Sequence, residues 1–286
     1  MLVNLKDILK IAEDKSIAIG CFNAPDLSCL RAVVRAAEEM GQPVVITHAQ
    51  LHEEKGLCTM DEVAPIILWY AKKANVPICV HLDHGTTLDY IARGLDIGFT
   101  SVMYDGSELP LEDNIANTKK VVAMAKQYGA SVEAELGSMG ARGGGFGGAT
   151  TASDDDKRVS IYTEPDDAAD FVKQTGVDAL ACAFGTAHGF YNTVPKLDFE
   201  RVSAIRKAIG GLPIVMHGGS GVTDEDYAKV VARGVRKVNY YTYMAKAGAE
   251  AVSNRQYTQF HDVLKDAEAA MKENVKAAIK LFSAKR

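Results

Sequence analysis

The chain has 286 residues, 47% hydrophobic and 24% charged, with 32 Lys+Arg against 37 Asp+Glu for a net charge of −5. That is the balance of an ordinary globular protein, long enough for one α/β barrel, and its mild acidity excludes a dedicated nucleic-acid binder. No apolar run approaches the about 20 residues of a membrane span, Met1 to Glu13 does not read as a signal peptide, and five widely spaced cysteines (Cys21, Cys29, Cys58, Cys79, Cys182) read as reduced thiols of a cytoplasmic protein.

Eight short apolar or β-branched runs predict strands at Ile17–Phe22, Pro43–His48, Pro77–Leu82, Phe99–Met103, Ala130–Glu135, Asp178–Cys182, Pro213–His217 and Val235–Tyr240. Their near-continuous hydrophobicity suits parallel strands covered on both faces, and they recur roughly every 30 residues, as strand–helix units do. Between them, amphipathic stretches predict helices at Leu27–Met40, Asp61–Ala74 (with Asp61 as N-cap), Leu111–Gln127, Asp166–Thr175, Asp198–Ile209 and Thr223–Arg233, with a C-terminal helix at Gln259–Phe282. Eight repeats without a dividing linker predict a single (β/α)8 TIM barrel over 1–286, with the last helix as an extension; a doubly wound open sheet is the alternative. The Gly-rich segment Gly137–Asp156 reads as a mobile loop, followed by a strand-like Val159–Tyr162.

A barrel carries its active site at the C-terminal ends of its strands. There the sequence sets Asn23, His48, His81-Leu82-Asp83-His84, Asp105, Glu133 with Glu135, Gly185-Thr186-Ala187-His188-Gly189, His217-Gly218-Gly219-Ser220-Gly221 and Asn239. Five of the seven histidines fall at or just beyond these ends, while His52 and His261 read as surface or satisfied core residues. His84, His188 and His217 follow three different strands and can surround one ion, leaving open positions as a catalytic zinc site requires. Glu135 is close enough to be a further or exchangeable ligand, and Asp105 to orient a ligand histidine from behind. The glycines after His217 precede a helix starting near Thr223, which suits a phosphate site.

At these residues the chain resembles the class II, metal-dependent ketose-bisphosphate aldolases, the family of fructose- and tagatose-bisphosphate aldolases. The landmarks are Phe22-Asn23, Val80-His81-Leu82-Asp83-His84-Gly85, Tyr104-Asp105-Gly106-Ser107, Val132-Glu133-Ala134-Glu135-Leu136-Gly137, Gly185 to Gly189, His217 to Gly221 and Lys237-Val238-Asn239, and they span nearly the whole chain. The resemblance implies one zinc per chain on His84, His188 and His217 with Glu135 beside it, room for a monovalent cation, and Asp83 as the acid/base at the C4 hydroxyl. It further implies a substrate held by Asn23, Gly189, Gly218, Gly219, Ser220, Asn239, Tyr240, Tyr241 and Thr242. It implies cleavage of a phosphorylated ketose to dihydroxyacetone phosphate and an aldehyde, in a cytoplasmic homo-oligomer, dimer or tetramer, with no nucleic-acid or membrane partner.

Three departures bear on the substrate. The loop after the fifth run lacks the family's glutamate, leaving Asp154, Asp155 or Asp156 to exchange the C3 proton. Tyr241 is bulky where the phosphate is approached. Thr47-His48-Ala49-Gln50 stands in place of a serine-containing turn, with His48 and Gln50 expected at the mouth. Two other readings stay open: another barrel metal-dependent enzyme, disfavoured because His81 and His84 are spaced unlike a His-x-His pair and lie on the third run, and an inactive homologue that only binds a sugar phosphate.

Overall fold

The computed structural model describes residues 1–137, 162–189 and 195–284. A two-residue strand, β1 (Leu2–Val3), and helix α1 (Leu5–Lys15) precede the first expected strand. Then follow β2 (Ile19–Asn23), α2 (Leu27–Met40), β3 (Val44–Ala49), α3 (Gln50–Glu54), α4 (Met60–Lys73), β4 (Ile78–Gly85), α5 (Leu88–Ile97), β5 (Ser101–Tyr104), α6 (Leu111–Gln127), β6 (Ser131–Leu136), α7 (Pro165–Thr175), β7 (Ala179–Cys182), α8 (Phe199–Ala208), β8 (Ile214–Met216), α9 (Asp224–Ala232), β9 (Val235–Tyr240), α10 (Thr242–Ser253) and α11 (Phe260–Phe282). Strands β2 to β9 pair in parallel, each with the next, and β9 returns to β2, so the eight-stranded barrel closes. No described helix is long and apolar enough to cross a membrane. The expected loop Gly137–Asp156, with Asp154, Asp155 and Asp156, and the strand-like Val159–Tyr162 lie outside the described residues except for Gly137 and Tyr162.

All eight apolar runs became barrel strands, displaced by a few residues at their ends. Pro43, Pro77 and Pro213 fall just outside β3, β4 and β8, because proline has no N–H for the ladder. The N-cap of α4 is Thr59 and not Asp61: its hydroxyl accepts from the Glu62 N–H at 3.3 Å, and the Glu62 carboxylate accepts from the Thr59 N–H at 2.7 Å. That reciprocal capping box satisfies two donors that Asp61, in the first turn, would leave open. The predicted helices start or end within two residues of those observed, whereas α1, α3, α5 and α10 have no counterpart in the expected set.

Side-chain alternation divides the core in two. Outward residues such as Phe22, Ile46, Val80, Val102, Leu180 and Val238 join the helices in one large apolar layer. Inward residues Ile19, Cys21, Val45, Cys79, Ala179, Ala181 and Val215 form a second cluster with Leu5, Ile8, Leu9 and Ala12 of α1. Helix α1 therefore plugs the N-terminal end of the barrel, held by Glu13 against Arg206 at 2.6 Å and Arg236 at 2.9 Å. The plug fills the lower lumen with apolar side chains and confines polar residues to the C-terminal end. All five cysteines are free, and only Cys58 is not buried.

Candidate active site

The site begins with an irregularity in β4. Cys79, His81 and Asp83 alternate into the lumen, so His84 should point out among the helices. The β4–β5 register shifts between Leu82 and Gly85, and His84 takes φ +50°, the left-handed region that a histidine seldom occupies. The bulge turns the ring toward the barrel mouth, so adjacent residues Asp83 and His84 both serve it. His84 Nδ1 lies 2.7 Å from Asp105 Oδ2, which also accepts through Oδ1 from the Ser107 hydroxyl at 2.7 Å. Burial opposes a charge on His84, but Asp83, Asp105 and Glu135 raise its imidazole to about 10. Asp105 is held well below the carboxylate range, since the His84 contact and Ser107 outweigh its burial.

His217 follows β8 and His188 lies in the loop after β7. The ring centroids are 4.8 Å apart for His84–His217, 5.1 Å for His84–His188 and 5.8 Å for His188–His217. One nitrogen from each ring lies within 4.8 Å of the other two. His217 is fully buried, with Nε2 2.9 Å from Glu133 Oε1, so its Nδ1 is the nitrogen left to face the cluster. Among the described residues that Nδ1 has no hydrogen-bond partner, and neither has Glu135 Oε2, 3.4 Å away. Two acceptor positions without a partner among the described residues, beside the partly buried His84 and the exposed His188, fit a cation. Burial, then the charge of Asp105, pushes the Glu135 carboxyl well up, against the opposing pull of His84.

Beneath this lies a network that joins Asp83 and Asn239 to Lys237, Glu133 and His81, three residues the sequence marks only as landmarks. Lys237, fully buried on β9, contacts Glu133 Oε2 at 2.9 Å and Asn239 Oδ1 at 2.8 Å. Asn239 Nδ2 donates to both oxygens of Asp83, at 3.3 and 3.2 Å, and His81 Nε2 sits 3.7 Å from Asp83 and from Glu133. Burial disfavours the Glu133 charge, but Lys237, His217 and His81 bring it down to about 2. Burial likewise opposes the Asp83 charge, and His84, His81, Lys237 and His217 still hold it well below the usual range. Removing one partner of such a buried pair typically costs about 3–5 kcal/mol, so the layer under the mouth is rigid. A lysine inside the fully buried strand β9, in phase with Asn239, is the sequence signal for it.

The remaining expected residues divide. Gly218, at φ +62°, runs against the loop after β7: a Cβ there would stand 2.3 Å from the Ala187 oxygen, so only glycine fits. This brings the turn after β8 beside His188 and Gly189. The Gly219 N–H donates to the Asn239 carbonyl at 3.2 Å, and Tyr227 donates its hydroxyl to the Gly219 carbonyl, fixing Ser220 at the end of β9. Asn23 points into the mouth in phase with Cys21. The Tyr240 ring turns outward onto Phe22 and Phe282, leaving only its main chain near the site. The Tyr241 ring lies 5.8 Å from that of His52, and Cys29 and Asp26 at the start of α2 are among its neighbours. His48 also departs from expectation. It is out of phase with the inward Val45 and Thr47 and meets Tyr90 Oη at 3.2 Å, under the helices. Gln50 braces the chain after His84 by accepting from the Thr86 N–H at 3.0 Å. His261 is exposed, but His52 is buried against the mouth, where the sequence showed nothing to single it out.

The family model for fructose-bisphosphate aldolase class-II matches residues 3–286. A 6-phospho-5-dehydro-2-deoxy-D-gluconate aldolase of Halalkalibacterium halodurans is 39% identical over 253 residues, 88% of this chain and 84% of that protein. A fructose-bisphosphate aldolase of Staphylococcus aureus is 34% identical over 290 residues, 98% and 97% of the two chains. Among solved structures, the YdjI aldolase from Escherichia coli K12 superposes with a TM-score of 0.86 at 34% identity, covering 99% of this chain and 97% of that one. The barrel and its histidine-rich mouth are thus those of an aldehyde-lyase, and the chain belongs to the class II fructose-bisphosphate aldolase family.

Proposed function

We propose that the protein is a zinc-dependent aldolase that reversibly cleaves a phosphorylated ketose to dihydroxyacetone phosphate and an aldehyde. The observation that carries this reading is the convergence of one nitrogen each from His84, His188 and His217, with Glu135 Oε2 3.4 Å from His217 Nδ1 and neither of these two atoms hydrogen-bonded among the described residues. These three histidines would hold the zinc, with Glu135 as a fourth, exchangeable ligand. When bound, zinc supplies Lewis acidity for the negative charge that develops on the C2 oxygen as the C3–C4 bond breaks. Asp83 takes the C4 hydroxyl proton in cleavage and returns it in condensation. Asn239 orients Asp83, and Lys237 orients Asn239 through its amide oxygen. The phosphate would rest between Gly189, Gly218 to Ser220 and the start of α10, whose first turn has neither a capping side chain nor an acid.

The test is a panel of fructose 1,6-bisphosphate, tagatose 1,6-bisphosphate and 6-phospho-5-dehydro-2-deoxy-D-gluconate, assayed for triose-phosphate release. Release from at least one, lost with a chelator and restored by zinc, is expected. No release from any, or release indifferent to the chelator, overturns the reading.

A second expectation concerns pH. A proton on His84 must leave before the ring can bind a cation, and this imidazole is held at about 10. Metal binding near neutral pH should release at least one proton, and affinity should rise with pH by up to about tenfold per unit until His84 is neutral. Calorimetry in buffers of different ionisation enthalpy reads the released proton directly.

A further inference from the structure

His52 is 1% exposed on the short helix α3, and the aldolase reading above gives it no role. Its two ring nitrogens have different partners. The Ala49 N–H donates to Nδ1 at 3.4 Å, the N-terminal capping interaction of α3. Nε2 lies 3.3 Å from the Asn23 amide atom placed as Nδ2, and which end of that amide faces the ring is decided by the hydrogen-bond network. The ring is uncharged, since burial and the neighbouring His48 hold it at about 4.

A neutral imidazole has one donor and one acceptor nitrogen. Ala49 can only donate, so Nδ1 is the acceptor and the proton sits on Nε2. A proton on Nε2 cannot receive a hydrogen bond from the Asn23 NH2 group; two donors would meet. The amide must therefore present Oδ1 to His52, and its NH2 is turned off His52 toward the lumen. Asn23 stands next to two strands that build the Asp83 site. Cys21, two residues below it, pairs with Asn239, and Ala49 on β3 pairs with Asp83.

We propose that His52 is a positioning residue that locks the Asn23 amide with its NH2 facing the substrate, making Asn23 a hydrogen-bond donor to a substrate oxygen on the Asp83 side of the mouth. The substrate half of this proposal rests on the aldolase reading; the tautomer half does not. A donor held this way suits a hydroxyl or carbonyl oxygen. Free to rotate, the amide would offer its oxygen as often and select nothing.

Two measurements test it on the full chain. In protein labelled with 15N-histidine, the His52 signals are those lost in His52→Gln. Long-range proton–nitrogen correlation should show the proton on Nε2 and no titration from about pH 6 to about pH 8. A proton on Nδ1, or a charged ring, overturns the proposal whether or not any sugar phosphate is cleaved. The second is kcat/KM for whichever ketose phosphate of the panel wild type cleaves fastest. Asn23→Ala, Asn23→Asp and His52→Leu should each lose roughly tenfold or more with metal content unchanged, and His52→Leu combined with Asn23→Ala should lose no more than either alone. Asn23→Asp keeps an oxygen toward His52 but removes the donor, so near-wild-type activity in that variant overturns the donor role. Additive losses in the double variant overturn the coupling. If wild type cleaves nothing in the panel, the aldolase reading fails and the tautomer alone decides the proposal.

Discussion

His217→Ala is expected to leave the protein without retained metal and to lower kcat/KM by about 10³-fold or more. Lewis-acid stabilisation of an enediolate is worth several kcal/mol, and each 1.4 kcal/mol or so is a factor of ten. His217 is the most enclosed of the three imidazoles, and its Nδ1 can face the cluster only because Glu133 holds Nε2 at 2.9 Å. Its loss takes away one of the three imidazole ligands of the proposed site. Glu133 keeps Lys237 at 2.9 Å, so the buried carboxylate is not stranded and the barrel should still fold. His84→Ala and His188→Ala should show the same paired loss. Elemental analysis beside the cleavage assay reads both effects. Full metal occupancy in all three variants would falsify the ligand assignment.

Asp83→Asn should separate metal from chemistry. Asp83 converges with His81 and Glu133 and not with the three-histidine group, so the variant should keep its metal. Its kcat should fall by about 10²–10⁴-fold, the usual worth of a positioned acid/base. Asn239 can still donate to the remaining oxygen, so the loss reports the missing proton acceptor and not a collapsed network. The neighbouring cations hold the Asp83 carboxyl well below the ordinary range, despite its burial. It is therefore ionised at neutral pH, ready to accept the substrate proton. A variant that cleaves at the wild-type rate removes Asp83 from the mechanism.

Much of this site was legible as one-dimensional order. The polar residues stand at the ends of apolar runs, and a barrel puts those ends on one rim, so His84, His188 and His217 could be grouped before any distance was known. Asp105 behind His84 followed from the same logic, and the two atoms are 2.7 Å apart. The expectation failed where it required the direction of a side chain. His48 ends its run as the other histidines do, yet faces Tyr90 under the helices. Tyr240 ends the last run beside the phosphate turn, yet its ring turns outward onto Phe22 and Phe282. A residue's place on the rim follows from the repeat; whether its side chain faces the lumen or the helices follows from strand phase, which a one-residue shift reverses.

The sequence by itself determined the repeat, and with it the barrel, the rim and the residue types available there. Hydrophobic period and turn residues are local, and they act on each strand–helix unit separately. Only the tertiary structure decided what those units do to one another. The bulge at His84 depends on pairing with β5, and it puts two consecutive residues into one site when alternation would part them. The charge of Lys237 is tolerable only because Glu133, 104 residues away in sequence, meets it in the lumen. Helix α1, which precedes the repeat, found its role only once there was a barrel end for Ile8 and Leu9 to fill. Each of these rests on contacts between distant segments, whose energies appear only after the barrel has closed.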